Sequence, residues 1–192
     1  MMRIWKKREK NVWKGLASGI IGGIAASLIM DQFQAAMKKL ALVTGQSEDP
    51  GSKEQQGQQQ KNRQQQQNQK DDGKKEPATV KAAEAISETV LDHSLTKKEK
   101  KFAGPAMHYA MGAASGAVYG VAAEFEPMVA VGAGLPFGAA VWLIADEVAV
   151  PAFGLSKPPW QAPVSTHAKA LASHFVYGLA TDVVRRAVRQ AL

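Results

Sequence analysis

Gly15-Leu-Ala-Ser-Gly-Ile-Ile-Gly-Gly-Ile-Ala-Ala26 and Gly112-Ala-Ala-Ser-Gly-Ala-Val-Tyr-Gly-Val-Ala-Ala123 are the two stretches on which the fold turns. Aligned without gaps they share 7 of 12 positions. In each, glycines stand at i, i+4 and i+8: Gly15, Gly19 and Gly23 in the first, Gly112, Gly116 and Gly120 in the second. Residues four apart share one face of a helix, and glycine there lets a neighbouring backbone come close. This is how helices associate in lipid, where apolar contact between helices brings no gain over contact with the solvent. Gly134 and Gly138 continue the spacing in a third segment. Small residues are also common in membrane helices by composition alone, but three segments with the same spacing favour tight packing, within the chain or between chains.

Working outward, each stretch extends into an uncharged run. Span one is Gly15 to Met30, between Lys14 and Asp31, with Gln32 to Met37 continuing the helix. Span two is Gly104 to Ala123, interrupted only by His108, and long enough at about 1.5 Å per residue to cross about 30 Å of hydrocarbon. Span three is Met128 to Ala145, closed by Asp146 and Glu147. Span four is the weakest. Its stretch free of Lys, Arg, Asp and Glu runs only from Ala170 to Thr181, and it needs Thr166 to Lys169 and Asp182 to Val188 to cross. Arg3, Lys6, Lys7, Arg8 and Lys10 before span one resemble the basic start of a signal peptide. The glycine-rich core and its later repeat argue for a retained helix instead.

Against these apolar runs, the bulk composition misleads. The 192-residue chain has a formal net charge of +7 and a mean hydropathy of -0.22. Both reflect a polar insertion: from Gln55 to Gln69, 10 of 15 residues are Gln. Gly45 to Glu76 is too poor in apolar residues to offset the entropy of ordering it, and reads as a disordered insertion. Without aromatics, and with its Lys interleaved among acids, it is a poor nucleic-acid binder. After Pro77, Ala78 to Leu95 reads as an amphipathic helix with Val80, Ala83, Ile86, Val90 and Leu91 near one face. Lys97, Lys98, Lys100 and Lys101 follow, which suits a helix on the membrane surface or a solvated linker helix.

The organisation expected is therefore a basic segment 1–14, a first membrane helix 15–40, a Gln-rich insertion 41–77, an amphipathic helix with its Lys cluster 78–101, and three further membrane helices in 102–192. The fold class is all-α: an integral membrane protein of four transmembrane helices with Gly-rich packing faces and one interfacial helix. The first helix usually dominates orientation, which places both termini on the cytoplasmic side.

Four antiparallel spans collect Asp31, His108, Asp146, Glu147 and His167 at one end. Along span four, His167, His174, Gly178, Asp182 and Arg185 form a stripe that cannot face lipid cheaply. Two readings stay open. Either the acids mark helix ends at headgroup depth, or imidazoles and carboxylates share a partly desolvated vestibule that responds to pH. The absence of cysteine excludes disulfides, thiolate metal sites and a Cys nucleophile. His167 and His174 are too far apart for one zinc ion without another helix contributing. No nucleotide, zinc-protease or serine-hydrolase signature is present, so no catalytic residue, metal or cofactor is expected.

His108-Tyr-Ala-Met-Gly, Gly116-Ala-Val-Tyr-Gly, Trp142 with Asp146-Glu147, Val150-Pro151, Gly154-Leu155, Pro158-Pro159, and His174 with Tyr177-Gly178 resemble the YagU-type family of bacterial inner-membrane proteins. The resemblance covers roughly residues 13–40 and 78–190, with the Gln-rich stretch as a departure. It implies a multi-pass protein of the inner membrane and no reaction. The expected function is a non-enzymatic membrane component, pH-responsive or moving protons or a small solute, with the lipid bilayer as its partner. The alternative is a structural or assembly subunit of a homo-oligomer or larger membrane complex.

Overall fold

A computed structural model describes residues 10–44 and 76–192. Arg3, Lys6, Lys7 and Arg8, and the Gln-rich insertion up to residue 75, lie outside the described residues. The described residues form five helices: α1 (Val12–Val43), α2 (Ala78–Leu91), α3 (Lys97–Phe125), α4 (Leu135–Ala152) and α5 (Val164–Ala191). The described residues are all-helical, and α1 and α4 are long and apolar enough to cross a membrane.

Local chemistry sets the starts. The Asn11 side chain accepts from the Lys14 N–H at 3.0 Å and caps α1. Thr96 and Glu99 form a reciprocal capping box at the head of α3, with the Thr96 N–H donating to the Glu99 carboxylate at 2.7 Å. Those two bonds, with His93 beside them, hold the Glu99 carboxyl down at about 2.

The third apolar run folds differently from the expected span. Met128 does not start a long helix: Pro127–Ala130 is a short 3-10 turn. Gly132, Ala133 and Gly134 then take φ values of 80°, 54° and 82°, a left-handed run that two glycines make accessible. The helix begins after it, at Leu135, with Pro136 in its first turn. Nor do Asp146 and Glu147 end it. They sit inside a π-helical stretch, Trp142–Ala149, in which the Val150 N–H bonds the Ala145 carbonyl five residues back, and the helix continues to Ala152.

The amphipathic helix α2 also takes a partner. Val80 packs at Gly104 while Glu84 pairs with Lys100 at 2.7 Å, so α2 runs antiparallel along the first turns of α3 instead of lying by itself. Lys81 reaches the Leu155 carbonyl at 3.3 Å and ties α2 to the α4–α5 connection.

Helix α1 lies between α3 and α5. Its Gly15, Gly19 and Gly23 meet Gly120, Gly116 and Gly112 of α3 in antiparallel order, while Gly22 faces Thr181 and Arg185 of α5. A Cβ at Gly120 would stand 2.7 Å from the Gly19 Cα, closer than real Cβ atoms come. Gly138 of α4 makes the same approach to His174 and Gly178 of α5, and Gly178 returns it. Between these helices the Phe137 ring (α4) stacks on Tyr119 (α3) and lies tilted against Tyr177 (α5).

The result is apolar outside and polar inside. The buried apolar side chains are Ala26, Met30, Val80, Tyr119 and Tyr177, whereas Ser18, Ser27, Glu124, Ser173, His174, Thr181, Asp182, Arg185 and Arg189 are buried too. Ile24, Leu28, Val118, Leu143, Ile144 and Val183 face outward. A water-soluble domain seldom carries so much exposed aliphatic surface over so polar an interior. Exposed aromatics mark two levels: Trp13 and Phe125 at one end, Phe102, Phe153 and Trp160 at the other. Along α3, Phe102 and Phe125 are separated by about 35 Å of helix rise, near the thickness of a bilayer's apolar core.

Candidate functional site

At the end marked by Phe102 and Trp160, four helices bring His and carboxylate side chains together. Asp31 on α1 accepts from the Tyr109 hydroxyl on α3 at 2.6 Å and lies 3.4 Å from Nε2 of His108. Asp146 on α4 lies 3.7 Å from Nδ1 of His174 on α5, and that nitrogen bonds the Ala170 carbonyl at 2.9 Å. Asp31 with His108 joins α1 to α3, and Asp146 with His174 joins α4 to α5.

Glu147 makes a separate, tighter pair. Its Oε1 is 2.6 Å from Nδ1 of His167, whose Nε2 is 3.0 Å from the Pro159 carbonyl. A carbonyl and an ionised carboxylate only accept, so the two bonds are both made when the imidazole carries two protons. A neutral ring must give one of them up. Adjacent carboxylates thus reach histidines two turns apart on α5 from within a π-helical stretch, a distortion often found at functional sites.

Along α3, His108 stands six residues from the exposed Phe102, about 9 Å of rise. Asp31 and Asp146 keep 42% and 41% of their side-chain surface open. Among the described residues, no three His, Asp or Glu side chains converge as a metal-binding group.

Asp182 is placed elsewhere. On the α5 stripe it follows His174 by eight residues, about 12 Å of rise, toward the other end. There it is 1% exposed and accepts from Arg185 at 2.8 Å and from Arg186 at 2.7 Å. Beside it, Arg189 grips both oxygens of Glu124 on α3, and the Asn11 N–H donates to Glu124 at 3.2 Å. Arg185 lies over the Tyr119 ring at 5.4 Å. Midway, the Tyr177 hydroxyl donates to the Gly112 carbonyl at 2.7 Å and lies 2.8 Å from Ser115 Oγ.

Tyr109, Glu124 and Arg189 are site residues that sequence reasoning does not single out. The signal for Glu124 is present: it follows Gly112, Gly116 and Gly120 at the next i+4 position, on the packing face rather than after it. Arg189 reads in sequence as one more flanking charge, yet it falls on the face of Gly178, Asp182 and Arg185. Of the packing glycines, Gly15, Gly19, Gly23, Gly112, Gly116, Gly120 and Gly138 all make close helix contacts. Gly134 does so from the turn before α4, against Gly178.

A family model described as "Protein of unknown function (DUF1440)" matches residues 68–183. The chain belongs to the DUF1440 family. The DUF1440 match takes in α2, α3, α4 and most of α5, and with them His108, Asp146, Glu147, His167, His174 and Asp182. It does not include α1, which supplies Asp31 and one side of the glycine contact, or Arg185 and Arg189. No curated protein and no solved structure matches the chain.

Proposed function

We propose that this DUF1440 member is a non-enzymatic, four-span membrane protein whose His–carboxylate vestibule makes it respond to pH. The observation that carries the reading is the gathering of Asp31, His108, Tyr109, Asp146, Glu147, His167 and His174 from four helices at one end of a bundle with an apolar exterior. In this reading α3 and α5 cross beside α1 and α4, their polar and charged side chains turned inward. The resemblance to YagU-type proteins supports the bacterial inner membrane, and the basic residues around α1 support cytoplasmic termini. Histidines paired with carboxylates change charge between about pH 5 and 8, and each lost proton removes a bond or an attraction between two helices. The bilayer is the partner, and the chemistry needs no cofactor.

The test uses the full chain in lipid vesicles. Because the sequence has no cysteine, a single fluorophore can be attached at Ser156→Cys in the α4–α5 connection. The signal should titrate between about pH 5 and 8, and Asp146→Asn and His174→Gln should each shift the midpoint while leaving the protein folded. Three superimposable curves would refute the proposal.

One observation favours the assembly reading. Ala106, Ala110 and Ala114 stand at i, i+4 spacing on the exposed side of α3 and could admit another helix. The glycine faces themselves are already occupied within the chain, which is why this reading comes second.

A further inference from the structure

The two ends of the bundle differ in kind. At the vestibule end the carboxylates Asp31 and Asp146 are about two-fifths exposed. At the other end Glu124, Asp182, Arg185 and Arg189 are all buried, and each acid is held by guanidinium. The backbones of α1, α3 and α5 come close around them. Gly15 meets Gly120 and the Glu124 side chain, Gly19 meets Gly116 and Gly120, and Gly22 meets Thr181 and Arg185. The Tyr119 ring, stacked on Phe137 at 4.3 Å, fills the side toward α4. Arg186, half exposed, holds the second Asp182 oxygen and the Ala130 carbonyl from outside.

We infer that the Glu124–Arg189 and Asp182–Arg185–Arg186 ion pairs, set among the glycine contacts of α1, form a seal, so that the vestibule opens to one aqueous phase only. The inference rests on the membrane reading above and narrows it. The protein senses conditions on the side carrying the α4–α5 connection, and its polar interior is not a transmembrane path. His174, Tyr177, Thr181 and Asp182 do follow one another along α5, but the row ends at the arginines.

Thiol access tests this directly in vesicles holding the full chain. Asp146→Cys reports the vestibule. Ser18→Cys reports the sealed end, since Ser18 is fully buried on α1 between Gly15 and Gly22 and the exchange is nearly isosteric. A membrane-impermeant thiosulfonate should modify Asp146→Cys from one side only and Ser18→Cys from neither. Adding Glu124→Gln to Ser18→Cys should open that thiol to reagent from the side of the termini. Proton flux through vesicles carrying the parent chain should match that of empty vesicles. Modification of Asp146→Cys from both sides, labelling of Ser18→Cys with the ion pairs intact, or protein-dependent proton flux would each overturn the seal. A flat pH titration with one-sided access would overturn the pH-responsive function and leave the seal standing, so the two failures are distinguishable.

Discussion

Gly116→Leu is the sharpest perturbation of the fold. Gly116 lies at the middle of the α1–α3 contact, and a Cβ there would run into the Gly19 carbonyl while standing 2.8 Å from Cα and 2.9 Å from N of Gly23. Ordinary contact begins at 3.4 Å, so the first added carbon alone is about 0.6 Å too close, and its neighbours are backbone atoms that cannot rotate away. Three further carbons must then be placed. Separating the helices there would also loosen Gly15–Gly120 and Gly23–Gly112, because all three contacts share one pair of rigid rods. Overpacking typically costs about 1–3 kcal/mol, and a backbone neighbour puts this site at the upper end, about 3 kcal/mol. For a chain of this size that corresponds to a fall in Tm of about 6–12 °C. Ala114→Leu is the control, since Ala114 is exposed two residues away and a surface change there should stay within about 0.5 kcal/mol. Thermal unfolding of both variants in a mild detergent measures the difference. Equal Tm values would mean that the glycine contact does not hold α1 against α3.

The other predictions follow from particular contacts. Glu124→Gln removes the carboxylate charge that the buried Arg189 grips and should cost roughly 3–5 kcal/mol, whereas the double change Glu124→Leu with Arg189→Met should recover much of it; a double-mutant cycle by denaturation checks the coupling. Glu99 has its pKa depressed to about 2, so its contribution to the α3 cap is present above about pH 4.5 and is lost as pH falls toward 2. Amide exchange in the first turn of α3 should accelerate over that window, and Glu99→Gln should flatten the pH dependence. The four-span proposal puts Gln60 opposite both termini, so reporter fusions at Glu126 and Leu192 should agree with each other and disagree with Gln60; agreement of Gln60 with Leu192 would mean that α5 does not cross.

The order of helices and the faces they present are legible in the amino-acid sequence, because spacing along one chain carries that information. Glycines four apart must share a face, and the buried rows of α1 and α3 are the rows Gly15, Gly19, Gly23 and Gly112, Gly116, Gly120. The convergence of Asp31, His108, Asp146, Glu147 and His167 on one end follows from alternating helix directions alone. What periodicity does not supply is the rotation and height of one helix against another. Arg189 shares a face with Asp182, yet its partner is set by how far α5 slides against α3, which brings it to Glu124. The start of α4 is hidden for a different reason. Met128 to Val131 is as apolar as a helix needs, and the left-handed run from Gly132 to Gly134 is a backbone state that hydropathy does not register. Asp146 and Glu147 likewise sit in a π-helical stretch, a change of hydrogen-bond register without any change in composition. Sequence by itself determined which residues could be neighbours along each helix. Tertiary structure decided which helix each face met, because close backbone contacts at the glycines fix rotation and height together for the whole bundle.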